Sequence, residues 1–388
     1  MNIYYWCPFL SQVATVQAVL NSAISIKRYS KNTISPYIIN AVGEWHQFNE
    51  VINEKEIGLV NFIKSKSLYN FLPRYSYLKS RFSYIFIFII TFFKLYSFLN
   101  KRTSKDVFII HLISSLPLLL ILLFNFKCKF ILRISGYPKL NIFRKLLWKL
   151  CKNKLEIILC PTEDTKKNLI NKRIFNLNTC HVLYDPVIDV LKYLKMKKQQ
   201  ILSKFDNKKY IINIGRLTKQ KNQKFLIEGF HKILEKEPDL YLIILGIGEL
   251  EIELKKIIVK LNLQNKVFFL GYCKNVFSYL SKAKCFVLSS EWEDPGFVLV
   301  EAAFSRVPII SSDCPNGPNE ILDNGEGGYL YKSNNQEDFL FKFNKFNKEK
   351  DNIIKKKKLN ILKKSKKFTY FNHFKNLKRI LGLLKYDK

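Results

Sequence analysis

Short apolar runs alternate with amphipathic stretches along most of this chain. From Tyr210 onward the alternation is regular. Apolar runs of strand length fall at Tyr210–Ile214, Tyr241–Leu245, Val267–Leu270, Cys285–Leu288 and Pro308–Ser311. Helical patterns fill the intervals, at Asn222–Leu234, from the turn Gly246-Ile-Gly-Glu249 to about Leu261, near Val276–Ser281 and from Gly296. Unbroken apolar strands are buried on both faces, and intervening helices carry the crossovers of a parallel sheet. The first half repeats the pattern less clearly, at Ile3–Trp6, Thr15–Ile26, Tyr37–Val42, Val107–His111, Phe130–Ile134 and Ile157–Cys160. The pattern predicts an α/β protein of two doubly wound, Rossmann-like domains facing a central cleft. The first spans residues 1–195 and the second 205–388, with a last helix able to pack back on the first domain. The Lys-rich stretch Leu191–Lys209 is read as the boundary, and Tyr184-Asp-Pro186 before it as a hinge turn.

Two apolar segments raise the question of a membrane. Val107–Phe126 carries no charged residue and is long enough to span a bilayer. It also contains His111, Ser114, Ser115 and Pro117, and it parses as a strand, a Ser-rich turn and a helix with Pro117 near its start. The strand–helix–strand reading is favoured. Tyr84–Phe98 is apolar and aromatic but contains Lys94, and is read as interrupted by charge too early to span. A membrane-facing amphipathic helix and a core helix are its two readings.

Size and charge narrow the class. A chain of 388 residues suits two domains, and its 48% hydrophobic content is ample for their cores. The formal charge is +34, from 65 Lys and Arg against 31 Asp and Glu. Such an excess attracts polyanions, nucleic acid, anionic lipid or phosphorylated substrates, although a solvated basic face accounts for part of it. The basic run Lys355–Lys367 has the same two readings, a solvated helix face or lipid contact. The eight cysteines are scattered without any CxxC pair, which removes zinc and thioredoxin-like readings. Cys160 and Cys285, in apolar runs, are expected to be buried thiols. The start does not read as a signal peptide, because the first basic residue, Lys27, follows the apolar stretch.

Two clusters carry chemistry, both at expected strand ends, where open α/β sheets bind ligands. Gly215-Arg-Leu-Thr-Lys-Gln-Lys-Asn222 follows a strand, so Arg216 and Lys221 can converge on a diphosphate as a planar fork and a point charge. A solvent-facing basic loop is the plain alternative. Ser290-Glu-Trp-Glu-Asp-Pro-Gly-Phe-Val-Leu-Val-Glu-Ala302 surrounds a helix start near Gly296. That start points the amides of Phe297 and Val298 at an anion, with Glu293 on the loop before it and Glu301 inside the helix. Carboxylates that merely favour the helix dipole are the alternative here. If both glutamates were helical they would lie about 11–12 Å apart along the axis. A retaining hydrolase needs its two carboxyls about 5 Å apart, so the two are not expected to form such a pair.

These clusters, with Gly246-x-Gly248, Leu270-Gly-Tyr272, Pro308-Ile-Ile-Ser-Ser-Asp313 and Gly317-Pro-Asn-Glu320, resemble the retaining nucleotide-sugar glycosyltransferases of family 4, which have the GT-B fold. The resemblance covers the C-terminal half nearly end to end. It implies that Arg216 and Lys221 hold the donor diphosphate and that Glu293 contacts the donor sugar. It further implies that Glu301 binds the ribose, that the Gly296–Val298 backbone holds phosphate and sugar, and that the base sits near Cys273–Val276. His111, at a strand end, would lie near the donor sugar as a catalytic candidate, or be a satisfied structural histidine. Arg133 would contact the acceptor, or form an ion pair. Phe9-Leu-Ser-Gln-Val-Ala-Thr15 stands where the family often has a Gly-Gly loop.

The implied activity is transfer of a hexosyl or acetylhexosaminyl group from a UDP-sugar or similar donor to a saccharide or lipid-linked saccharide. The implied setting is bacterial polysaccharide, lipopolysaccharide or capsule synthesis. No cofactor and no metal are expected, since no DxD pair occurs. The expected location is cytoplasmic, peripheral on the inner face of an anionic membrane, with no nucleic acid partner. A nucleotide-sugar 2-epimerase of the same fold and a non-enzymatic polyanion-binding protein are the competing readings.

Overall fold

The computed structural model describes all residues except 12, 64–67, 74–76, 137, 139, 201, 203, 204, 206, 294 and 385–388, and the side chains of 77–80 are also left undescribed. The chain forms two compact units, Met1–Pro186 with Tyr370–Lys388, and Val187–Thr369.

The first unit is built on a parallel sheet of seven strands: β1 (Asn2–Trp6), β2 (Ser35–Asn40), β3 (Gly58–Asn61), β4 (Val107–Ile110), β5 (Lys129–Arg133), β6 (Ile157–Cys160) and β7 (Cys180–Val182). Their order is β3-β2-β1-β4-β5-β6-β7. Strand β1 pairs in parallel with both β2 and β4, so winding reverses between β1 and β4. Burial explains the pattern: every residue of β4 and β6 is buried, as a strand covered on both faces requires. Val107–Phe126 does not form one helix. It divides into β4 and a helix, Ser115–Leu123, and β5 follows at once.

The helix Tyr77–Asn100 is continuous, and Lys94 does not interrupt it as its charge suggested. Its ammonium instead donates to the Phe62 carbonyl at 2.7 Å. By length and composition alone, Arg81–Asn100 is long and apolar enough to cross a membrane. Ser83, Ile87, Thr91, Leu95 and Leu99 recur at every fourth position and are buried against the unit. Phe82, Ile85, Ile89 and Phe93 point outward and are exposed.

The second unit is a six-stranded parallel sheet, with β8 (Tyr210–Ile214), β9 (Tyr241–Leu245), β10 (Val267–Phe269), β11 (Cys285–Leu288), β12 (Ile309–Ser312) and β13 (Tyr329–Tyr331). The order β10-β9-β8-β11-β12-β13 reverses between β8 and β11. The unit starts at Val187, before the stretch read as a linker, because Val190–Lys197 is a helix capped by the Asp189 carboxylate. Tyr193 on that helix packs edge-on against Phe277 and Phe304 of the same unit, which is why a Lys-rich segment is structured. The basic run lies on the helix Asp351–Ser365, where Lys357 reaches the Gly325 carbonyl and Lys364 reaches Asp323.

The last helix, Tyr370–Leu381, belongs to the first unit. It buries His373, Phe374, Leu377 and Ile380 and packs on the helix Ala14–Tyr29. The His373 ring bridges the Ser22 hydroxyl (2.8 Å) and the Tyr184 carbonyl (2.7 Å). All eight cysteines are free thiols, and Cys273 alone of them is not buried.

Candidate functional site

In the second unit the loops leaving β8 and β11 meet at the reversal of strand order, the position at which open α/β sheets leave a crevice. Backbone and side chains stitch the two loops together. Glu291 N donates to Gln220 O (2.8 Å), Gln220 Nε2 to Trp292 O (2.9 Å), and Ser289 Oγ to Lys221 O (2.8 Å). Behind them, Ser312 Oγ donates to Ser290 O (2.7 Å) and Asn316 Nδ2 to Glu293 O (3.1 Å).

The centre of the site is an ion pair. Lys221 Nζ lies 2.6 Å from Glu293 Oε1 and 2.9 Å from Oε2, and the Ser290 hydroxyl donates to Oε1 at 2.5 Å. Glu293 is 2% exposed. A charge that deep needs a partner, because an uncompensated buried ion costs several kcal/mol. The two residues that were expected to take phosphate and sugar separately therefore hold each other.

Arg216 belongs to the same loop, but its side chain is exposed. Its backbone is fixed: buried Gln223 donates to Arg216 O at 3.0 Å. The turn after β9 is pressed against this loop from the other side. A Cβ on Gly248 would stand 2.3 Å from the Leu217 carbonyl oxygen, so only glycine fits there. Gly317, with φ of +141°, backs the other loop in the same way, its added Cβ falling 2.0 Å from Pro295 O.

The helix Phe297–Phe304 begins directly after Gly296, which takes a left-handed conformation as its N-cap. A Cβ on Gly296 would lie 3.4 Å from the Glu293 carboxylate, so the helix start and the ion pair adjoin. The amides of Phe297 and Val298 begin the helix, at positions that have no intrahelical acceptor. Glu301 lies further along it, and among the described residues its carboxylate has no hydrogen-bond partner. Burial pushes its pKa up to about 7, opposed by the charge of Lys192. The base turn expected at Cys273–Val276 leads into the helix Val276–Lys282, capped by the Asn275 side chain.

His111 and Arg133 belong to the first unit. His111 follows β4 at the reversal of that sheet, its ring centroid 5.8 Å from that of Tyr5. Burial, and then the charge of Arg133, hold its pKa well below the usual histidine range, so the ring is neutral near pH 7. Of the two readings for Arg133, the ion pair holds. It is 4% exposed, with Nη2 2.6 Å from Asp185 Oδ1 and Nη1 2.6 Å from Leu183 O. Its guanidinium ties β5 to the turn after β7. His111 lines a cavity of about 1020 Å³ beside the ends of β1, β4 and β5. In place of a glycine loop after β1, Phe9 and Leu10 are buried, and Phe9 packs edge-on against Trp45.

Ser290, Ser312, Asn316 and Gln223 were not singled out from the sequence. Ser290 opens the acidic stretch and Ser312 lies within Pro308–Asp313, while Gln223 and Asn316 each stand one residue outside a quoted motif. Among the described residues, no group of three or more His, Cys, Asp or Glu side chains is placed to hold a metal ion.

Residues 195–368 match the family model for glycosyl transferases group 1. An uncharacterized glycosyltransferase of Methanocaldococcus jannaschii is 38% identical over 205 residues, covering 50% of each chain. The N-acetylgalactosamine-N,N'-diacetylbacillosaminyl-diphospho-undecaprenol 4-alpha-N-acetylgalactosaminyltransferase of Campylobacter jejuni is 30% identical over 196 residues, covering 50% of this chain and 52% of that one. The chain thus matches about half the length of these relatives. The crystal structure of a glycosyltransferase from Rickettsia africae superposes over 100% of this chain and 99% of its own, with a TM-score of 0.72 at 17% identity, which gives the whole chain the two-domain GT-B fold.

Replacing Lys221 with Met would leave the Glu293 charge buried alone, and is expected to destabilise the protein by about 3–5 kcal/mol in urea unfolding. Adding Glu293→Gln should recover at least about 1 kcal/mol of that loss through the coupling between the two positions. Strictly additive losses would show that the pair is not coupled.

Proposed function

We propose, on the match of residues 195–368 to the family model for glycosyl transferases group 1, that this chain transfers a sugar from a nucleoside-diphosphate donor to a lipid-linked saccharide acceptor, with retention at the anomeric carbon. The observation that carries the reading is the Lys221–Glu293 pair set against the start of the helix Phe297–Phe304, with the unpartnered Glu301 four residues beyond Phe297. A diphosphate at the helix start would face the amides of Phe297 and Val298 and the cations Arg216 and Lys221. Lys221 would then be shared between the phosphate and Glu293, which keeps Glu293 ionised and aimed at sugar hydroxyls. Glu301 would accept from the ribose hydroxyls.

In the proposed reaction the bond from the anomeric carbon to the diphosphate oxygen breaks with both electrons going to oxygen. The acceptor hydroxyl bonds to the same face of that carbon, and its proton passes to the departing phosphate. Negative charge grows on the leaving group as the bond stretches, so fixed positive groups aimed there stabilise the transition state more than the ground state. The acceptor class is supported by the Campylobacter jejuni relative, whose name specifies a diphospho-undecaprenol saccharide. Polysaccharide synthesis at the inner face of an anionic membrane is supported by the outward apolar side of Tyr77–Asn100 and by the charge of +34.

Glu293→Gln and Arg216→Ala should each lower turnover at least about a hundredfold, equivalent to about 2.7 kcal/mol of barrier, in an assay of nucleoside-diphosphate release. Wild-type rates in both would remove the assignment. Incubation with donor alone, followed for an epimerised product, tests the rival chemistry. Donor affinity has a pH signature as well. A ribose donates best to an ionised carboxylate, so binding should tighten as pH rises through about 7 and then level off. Glu301→Gln should flatten that dependence; an unchanged pH profile in this variant would remove Glu301 from the site.

A further inference from the structure

The loop that leaves β11 inverts the usual distribution of polar and apolar side chains. Its polar residues Ser289, Ser290 and Glu293 are buried, and among the described residues of 285–296 the one that is exposed is Trp292. Trp292 is 42% exposed, whereas the other three tryptophans, Trp6, Trp45 and Trp148, are buried. A surface loop gains by turning its polar groups to water and its largest apolar ring inward, so the reverse arrangement calls for a reason.

A loosely held loop is not that reason, because the backbone on both sides of the ring is tied down. Trp292 O accepts from Gln220 Nε2 (2.9 Å), Glu291 N donates to Gln220 O (2.8 Å), and Glu293 N donates to Pro315 O (3.1 Å). Trp292 therefore stands between Gln220, which precedes Lys221, and Glu293, the two halves of the ion pair at the centre of the site. Membranes and protein partners are met by patches of apolar side chains, and within this loop Trp292 is exposed alone. A single flat ring on a fixed loop, beside charged groups, suits a ligand that is apolar on its face and polar around its edge. A pyranose ring has that character: C–H groups on a face and hydroxyls at the rim. An indole covers the face while charged side chains take the hydroxyls, and a ring already fixed in place loses little conformational entropy on contact.

We propose that Trp292 is a stacking platform for a saccharide, its indole lying on the C–H face of a pyranose ring at the lip of the crevice in the second unit. This role rests on the sugar-transfer reading above and adds to it a residue that recognises the sugar ring rather than the phosphate. The pyranose is the sugar of the donor or the terminal sugar of the acceptor, two sources with one surface chemistry.

Intrinsic fluorescence reads the platform directly, because acrylamide in solution reaches the exposed Trp292 before the three buried rings. Acrylamide quenching of the full chain saturated with UDP is compared with that of the chain bound to UDP-glucose, UDP-galactose or their N-acetylamino counterparts. A further arm adds the four free monosaccharides to the UDP-bound chain. At least one sugar should roughly halve the quenching seen with UDP alone, by covering the ring. Protection by a UDP-sugar puts the donor sugar on the indole, and protection by a free monosaccharide beside UDP puts the acceptor sugar there. Trp292→Ala should weaken the protecting sugar roughly tenfold in calorimetry, and Trp292→Tyr should recover most of that loss. UDP affinity should stay at the wild-type value in both variants, which also reports that they fold; a tryptophan that merely held the loop would change UDP affinity as well. No protection by any of these sugars, or unchanged sugar affinity in Trp292→Ala, would overturn the proposal. Failure of UDP to bind would count against the donor reading instead, while protection by the free monosaccharides still decides the platform.

Discussion

A single buried ion pair organises the second unit. Lys221 and Glu293 stand on loops that leave neighbouring strands, and each is the reason the other can be charged where it is. The serine and asparagine bonds around them fix loop positions that the pair alone would not hold. Desolvating two charges is offset only when both find good partners. Here the carboxylate has the ammonium on both oxygens and a hydroxyl on one. The arrangement leaves a cationic loop, a helix start and a free carboxylate side by side, which is what a phosphate followed by a ribose requires.

The two units use one topology for different ends. Both sheets reverse winding next to their first strand, and both place polar residues there. In the second unit that place holds paired charges and backbone amides. In the first it holds a neutral histidine beside a cavity with a cationic, apolar lining. The core of the first unit also absorbs groups whose sequence context suggested function. Arg133 spends donors on Asp185 and the Leu183 carbonyl, and Phe9 and Leu10 after β1 are buried.

The strands most legible in sequence were those buried on both faces. Tyr210–Ile214, Tyr241–Leu245, Cys285–Leu288 and Ile157–Cys160 begin and end where their apolar runs do. The edge strands Gly58–Asn61, Cys180–Val182 and Tyr329–Tyr331 were missed, whereas the edge strand Val267–Phe269 was read because its residues form an unbroken apolar run. The helix Val190–Lys197 was hidden by its lysines; one aromatic anchor, Tyr193, holds it. Arg216, Lys221, Glu293 and Glu301 were legible as candidates because they sit at strand ends and a helix start. That Lys221 and Glu293 touch was not legible, since it depends on the crossover that brings β11 beside β8. Lys94 failed as a break in its helix for a related reason, the nearby Phe62 carbonyl that satisfies it.

The most direct test of the account is the thermal shift produced by a nucleoside diphosphate, compared between the wild-type chain and Lys221→Met. Ligand at a hundred times its dissociation constant stabilises a protein by about 2.7 kcal/mol, enough to move the melting temperature by several degrees. That shift is expected in the wild type, with a much smaller one for nucleoside alone and none in Lys221→Met at the same concentration. An equal shift in both proteins would contradict it, because the diphosphate would then be held without the residue on which the site is built.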